Sequence, residues 1–313
     1  MEQVHEAIYG QIVRAHDGAG NELVIKQMNR HAMGEQRALR TGLPVRENGF
    51  QEMEIANLLQ KHPHPNVVRI LRTRIMRHEC HIVMPYYSNK ELYDHVAEAR
   101  LSNAQLLQIF RDVVHGLDYI HSLNIAHLDL SLENVLLDHK CRACICDFGM
   151  AELNGAACAG GRGKPLYMAP EMYTMSTFNG FQCDMWSLGV ILFTMFTGCP
   201  PVDQAKNEDQ RFRVLKHRGV EYLIQVWGLK VPPTVIQLLK KLLVADPSRR
   251  MKMCQLRAHP LIIEHENTPS WLATNIPCHV CLKTIGRGHR KWKCCGLIFC
   301  AACSTAHECD TSS

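Results

Sequence analysis

Apolar residues crowd the run Ile8-Tyr9-Gly10-Gln11-Ile12-Val13-Arg14-Ala15, break at Asp17-Gly18-Ala19-Gly20-Asn21 and resume in Leu23-Val24-Ile25-Lys26. Two short apolar stretches around such a turn predict a hairpin leading into a further strand. From Glu54 the spacing changes: Ile55, Leu58 and Leu59 stand at i, i+3 and i+4, which predicts a helix. A longer helical period covers residues 103–122, where Leu106, Leu107, Ile109, Phe110, Val113, Val114, Leu117 and Ile120 make one apolar face. Those residues read as core. Cys141, Cys144 and Cys146 fall in a strand running into Asp147 and read as packing, not as metal ligands. No stretch is long and apolar enough to span a membrane. Beyond Glu264-His265-Glu266-Asn267-Thr268-Pro269 the pattern gives way to closely spaced cysteines and basic residues.

Composition bounds the reading. The chain has 313 residues, 46% of them hydrophobic, which suits one sizeable core with a small appendage. Its 35 basic and 30 acidic residues leave a net charge of +5, too mild to argue for nucleic acid. The start of the chain carries no signal-peptide pattern, and the cysteines cluster near the end at metal-ligand spacing, so the expected setting is the reducing cytoplasm.

Three blocks carry the chemistry: His127-Leu128-Asp129-Leu130-Ser131-Leu132-Glu133-Asn134, then Cys146-Asp147-Phe148-Gly149, then Tyr167-Met168-Ala169-Pro170-Glu171. Their order and spacing resemble the catalytic loop, magnesium loop and activation-segment end of eukaryotic protein kinases of the serine/threonine type. The resemblance covers residues 5–263. It implies an α+β, bilobal fold, with a β-rich N-terminal lobe and a larger helical C-terminal lobe over residues 1–264. It also implies ATP and magnesium as cofactors and protein hydroxyls as substrates. By the same resemblance Asp129 is the catalytic base, and Asn134 and Asp147 hold magnesium.

The likeness continues on either side of these blocks. Lys26 ends the strand that would bring it to the nucleotide phosphates. Its expected ion-pair partner is Glu54, with Glu52 the fallback. The interval between lysine and glutamate exceeds the usual one, so residues 29–49 are an insertion, polar and glycine-bearing, expected as a loop. Gly10, Ile12 and Val24 are the expected roof of the nucleotide site. Of the family's three loop glycines only Gly10 is present, His5 and Ala7 taking the earlier places, which should loosen the grip on phosphate. Cys80-His81-Ile82-Val83-Met84-Pro85-Tyr86-Tyr87 looks like the strand entering the hinge. Met84 would be the gatekeeper and Tyr87 would supply a backbone amide to adenine, while Pro85 keeps the neighbouring carbonyl. Glu91 is placed to reach ribose or to serve as an ordinary acid at a helix start. Asp184 is expected to hold the catalytic-loop backbone, and Arg250 to pair with Glu171 as a buried structural bridge.

The departures are informative. Leu128 replaces an arginine that in many kinases receives an activation-loop phosphate. No serine or threonine lies between Phe148 and Glu171, so control by phosphorylation of such a residue is not expected. Residues 154–163 are small and glycine-rich, hence expected to be mobile. Ser131 stands where serine/threonine kinases have a lysine, and Lys164 where they have a threonine. The two side chains have exchanged places, and Lys164 is expected to reach the γ-phosphate that the missing lysine would contact. Glu133 and Glu91 occupy positions that in basophilic relatives meet arginines before the phosphosite.

After a linker at residues 265–276, the segment 277–313 carries Cys278, Cys281, His289, Cys294, Cys295, Cys300, Cys303, His307 and Cys309. Two C-x2-C pairs with further Cys and His predict zinc. One partition puts Cys278, Cys281, Cys300 and Cys303 on one ion. Two among His289, Cys294 and Cys295 would join His307 and Cys309 on a second. Cys295-Gly296-Leu297-Ile298-Phe299-Cys300 is similar to FYVE- and RING-like fingers, in a degenerate form. That likeness implies a phosphoinositide or protein partner and attachment at endosomal membranes; Arg287, Arg290, Lys291 and Lys293 could equally offset thiolate charge. The principal reading is an ATP-dependent serine/threonine kinase with a docking finger. The alternatives are a pseudokinase scaffold and an adaptor working through the finger.

Overall fold

A computed structural model describes residues 2–263, together with 276–277, 284–285, 290–291 and 298–299 as short paired strands. The expected linker, Ile276 excepted, and all nine expected zinc ligands lie outside the described residues.

The chain opens with β1 (Glu2–Ala7), β2 (Gly10–His16) and β3 (Glu22–Asn29), then α1 (Arg30–Glu35), α2 (Gly49–Lys61), β4 (Arg72–Ile75) and β5 (Glu79–Pro85). The five strands form one antiparallel sheet in the order β1-β2-β3-β5-β4. The expected strand from Ile8 is broken at Ile8-Tyr9, the turn between β1 and β2. A Cβ on Gly10 would overlap the Gln27 carbonyl oxygen, so this glycine serves the close approach of β2 to β3.

The insertion is not wholly a loop. Asn29 Oδ1 accepts from the N–H groups of His31 and Ala32 at 3.0 Å each, capping α1. Gln36, in the left-handed region at φ 49, ends it. Ala32 and Met33 are buried, and that burial makes a short helix worthwhile in a polar segment.

The second half holds α3 (Leu92–Ala97), α4 (Asn103–Ser122), β6 (Ile125–Ala126), β7 (Val135–Leu137), β8 (Ala143–Ile145), β9 (Glu152–Leu153) and β10 (Cys158–Ala159). Then come α5 (Glu171–Thr174), β11 (Thr177–Phe178), α6 (Gly180–Thr197), α7 (Gln210–Arg218), α8 (Val220–Val226), α9 (Pro233–Leu242) and α10 (Met253–Arg257). The two-lobed architecture is the one expected. Helix α4 opens on a capping box between Ser102 and Gln105 and buries Ile109, Phe110, Val113, Val114, Leu117 and Ile120. Cys144 belongs to the core, its thiol 3.1 Å from the Pro65 carbonyl oxygen.

Helix α6 is buried on nearly every side from Cys183 to Met195. A helix apolar all round must be enclosed, and this one becomes the post on which the catalytic segments hang. Arg250 meets Glu171 through two parallel hydrogen bonds, Nη1–Oε1 at 2.6 Å and Nη2–Oε2 at 2.9 Å, with both side chains essentially inaccessible. The pair ties the start of α5 to the segment before α10, and its two-pronged geometry offsets the desolvation of both charges.

Candidate active site

The catalytic segment is shaped by Asp184 of α6. This carboxylate is fully buried and accepts the backbone N–H of His127 at Oδ2 and of Leu128 at Oδ1, each at 2.8 Å. His121 Nε2 lies 2.8 Å from Oδ2 as well. Leu128 is held at φ 61, a left-handed conformation that costs a leucine roughly 1–3 kcal/mol and persists only where surroundings enforce it. The two N–H bonds to Asp184 supply that enforcement. His127 Nε2 meets the Cys146 carbonyl at 3.0 Å and its ring lies tilted at 53° against Phe148, which joins the catalytic segment to the Asp147 loop.

Asp129 follows, its side chain 15% exposed. Oδ2 accepts from Asn134 Nδ2 at 2.9 Å, and Oδ1 from the Lys164 backbone N–H at 2.9 Å. The Lys164 ammonium lies 3.4 Å from Oδ2 and 2.9 Å from Ser131 Oγ. Asn134 Nδ2 also donates to the Asp129 carbonyl at 2.7 Å, which uses the amide's nitrogen and leaves its oxygen available to a cation.

On the sheet side, the Lys26 ammonium bonds Glu52 Oε1 at 2.6 Å and Asp147 Oδ1 at 3.0 Å. The expected partner, Glu54, is exposed and faces away. At about 100° per residue, Glu52 shares a stripe with the buried Ile55, Ala56 and Leu59, whereas Glu54 is turned roughly 200° from Glu52. The fallback residue therefore makes the pair. Burial alone would lower the Lys26 pKa, but Asp147, Glu52 and Glu47 raise it and keep the ammonium charged. In return Lys26 holds the Asp147 carboxyl down at about 2.

Glu47 was not anticipated as a site residue. The Tyr9 hydroxyl donates to its carbonyl, and the adjacent Asn48 N–H donates to the Gly149 carbonyl at 3.0 Å. A Cβ on Gly149 would come within 3.0 Å of the Glu47 carboxylate, so the glycine makes room for it. Burial raises the Glu47 carboxyl to about 7, and Asp147, Glu52 and Asp129 push the same way against Lys26. An acid in a polar insertion gives no sequence signal of this placement.

Four of the expected nucleotide contacts, Ile12, Val24, Lys26 and Met84, share one face of the sheet. Ile12 pairs with Lys26 across β2–β3 and Val24 pairs with Met84 across β3–β5, while Val24 and Lys26 are two residues apart. Side chains at such positions point the same way. Tyr87 follows β5, its ring half-buried beside Cys144. Glu91 bridges to Leu136, and burial, Asp94 and Glu133 all raise its carboxyl pKa. A separate groove of about 770 Å³, lined by Asp203, Lys206, Tyr222 and Trp227 among others, lies on α7 and α8 away from these residues.

A divalent ion of the magnesium kind takes one or two carboxylates and completes its shell with water and phosphate oxygens. Asp147 and the Asn134 oxygen fit that need. A carboxylate base, a second carboxylate bridged by lysine and an amide oxygen are together the parts of a phosphoryl-transfer centre.

Comparison with known proteins agrees. The protein kinase domain family matches residues 3–262. The serine/threonine-protein kinase GIN4 of Saccharomyces cerevisiae is 35% identical over 221 residues, 68% of this chain but 18% of the yeast protein. The serine/threonine-protein kinase SAPK5 of Oryza sativa subsp. japonica is 31% identical over 269 residues, 83% of this chain and 69% of the rice protein. SAPK9 of the same plant is 30% identical, covering 83% and 71%. The chain belongs to the protein kinase family, within its serine/threonine branch.

Glu47 gives a testable pH dependence. Its carboxyl rises from 4.5 to about 7 on folding, so the folded state binds the extra proton between those values. The stability this contributes is complete below about pH 4.5 and lost as pH rises through about 7. In Glu47→Gln that loss is absent. The melting temperature of the variant, measured without nucleotide, is expected to gain on wild type across this window and run parallel above it; a gap constant with pH would contradict the assignment.

Proposed function

We propose that this chain transfers the terminal phosphate of ATP to serine or threonine hydroxyls of protein substrates. The observation that carries the reading is the Lys26 bridge, which fixes Asp147 opposite the Asp129–Asn134 pair. Bound magnesium nucleotide would supply the electrophilic phosphoryl group and neutralise charge between the phosphates. Lys26 orients the nucleotide from the sheet. Asp129 accepts the proton of the attacking hydroxyl and aligns its oxygen. Asp147 and Asn134 hold the metal. The roof formed by Gly10, Ile12 and Val24, with Met84, Tyr87 and Glu91 along the hinge side, receives adenosine.

Burial and the neighbouring Asp94 and Glu133 raise the Glu91 carboxyl pKa, and this gathering of acids supports a preference for basic residues before the target hydroxyl. The test is radiolabelled phosphate transfer to a positional peptide library by wild type and Asp129→Asn. Wild-type transfer at arginine-containing peptides, lost in the variant, is expected. Equal signal from both proteins would refute the enzyme reading in favour of a scaffold, and acidic or proline-directed selection would refute the substrate preference.

The composition of residues 277–313 supports a zinc-stabilised finger for docking, by a phosphoinositide or a protein, in a chain acting in the cytoplasm and at endosomal membranes. So short a segment cannot bury enough apolar surface to fold unaided. Purified, reduced protein is expected to carry zinc at one or two equivalents, and chelation should leave the melting of the kinase domain unchanged. Substoichiometric zinc would count against the finger.

A further inference from the structure

The Asp129 carboxylate is served by a cation from a distant part of the chain, the Lys164 that the exchange with Ser131 singled out. Lys164 closes the glycine-rich stretch that follows the Asp147 loop, 35 residues beyond Asp129. Its backbone N–H and its ammonium both engage the Asp129 carboxylate, at 2.9 and 3.4 Å, and the ammonium is seated on Ser131 Oγ at 2.9 Å. Ser131 is fully buried, so its hydroxyl is a fixed acceptor. Gly163, at φ 94, is what permits the approach, because a Cβ there would overlap the Leu128 carbonyl oxygen. The Lys164 side chain remains 37% exposed, so its position by Asp129 is not sealed off from a ligand.

The other lysine of the site, Lys26, is committed to Glu52 and Asp147. In the transfer step the substrate oxygen forms a bond to phosphorus as the bond to the ADP oxygen breaks. The hydroxyl proton passes to Asp129, and ADP leaves with the electron pair. Negative charge on the transferred group then sits beside Asp129, where Lys164 is the cation at hand. We propose that Lys164 is the catalytic cation of this enzyme, binding the γ-phosphate from the activation segment while Ser131 holds its ammonium in place. This rests on the phosphotransfer reading above.

The segment that carries Lys164 is tied down by contacts that need no phosphate. Arg162 Nη1 pairs with Glu152 at 2.9 Å and its Nη2 donates to the Ala159 carbonyl at 2.9 Å. Cys158 and Ala159, expected in a mobile stretch, pair as β10 with β11. Beyond Lys164 its carbonyl accepts from Tyr167 and Met168 N–H at 2.9 and 3.2 Å. Order in the segment and presence of the cation are thus one condition.

The test compares wild type, Lys164→Ala, Lys164→Met, Ser131→Lys/Lys164→Thr and Asp129→Asn, each confirmed folded by its melting temperature. Calorimetry with magnesium is expected to show Lys164→Ala and Lys164→Met losing about fivefold or more in ATP affinity while ADP affinity stays within about twofold. Turnover at saturating ATP should fall by roughly 10–1000-fold, and the double variant should recover much of it, a non-additive result a surface lysine cannot give. Equal weakening of ATP and ADP, or wild-type turnover in Lys164→Ala, would overturn the proposal. If wild type and Asp129→Asn transfer equally, the phosphotransfer reading fails instead, and the ATP/ADP comparison still decides whether Lys164 meets the γ-phosphate.

Discussion

The Lys26 ammonium is the interaction on which the site depends. It lies at 7% exposure between Glu52 of α2 and Asp147, and so connects the sheet, the helix packed on it and the Asp147 loop of the other lobe. Three charges this close are mutually conditional. Without the lysine, two carboxylates would face each other in a partly dehydrated space, one of them fully enclosed, and one or both would take up a proton. Breaking a buried pair by deleting one partner costs about 3–5 kcal/mol, chiefly because the remaining charge is stranded. With the lysine present, Asp147 stays ionised, which is the state a metal requires.

The opposite half of the site rests on a carboxylate of another kind. Asp184 is inaccessible, and its two bonds to His127 and Leu128 set the backbone from which Asp129 projects. Because α6 is enclosed along most of its length, a force on the catalytic segment is transmitted to the core. The arrangement separates duties: a rigid helix fixes Asp129, a lysine bridge fixes Asp147, and a short segment held by Arg162 and Glu152 brings a second lysine to Asp129.

Much of this was legible in the sequence, for a physical reason. Asp129, Asn134, Asp147, Asp184, Glu171 and Arg250 belong to short local blocks whose chemistry demands particular side chains at fixed spacing, so the blocks announce themselves. The closeness of Ser131 and Lys164 was legible as a paired departure from such a pattern. Glu54 was preferred to Glu52 by its position at the head of an apolar run, although the helical stripe of Ile55, Ala56 and Leu59 points back to Glu52. Glu47 could not be read at all. Its position follows from tertiary contacts with Tyr9 and Gly149, and one glutamate in a polar insertion resembles any solvated acid. The helix α1 was hidden likewise, since its two buried residues matter only once the sheet exists to cover them.

In the proposed phosphotransfer the Lys26 bridge would present an ionised Asp147 to a metal-bound nucleotide. Titration of ATP into wild type and Asp147→Asn by calorimetry, with and without magnesium, tests it directly. Magnesium is expected to strengthen wild-type binding by at least about tenfold, and the variant to lose this gain. Wild-type affinity indifferent to magnesium, or a variant that keeps the gain, would contradict it.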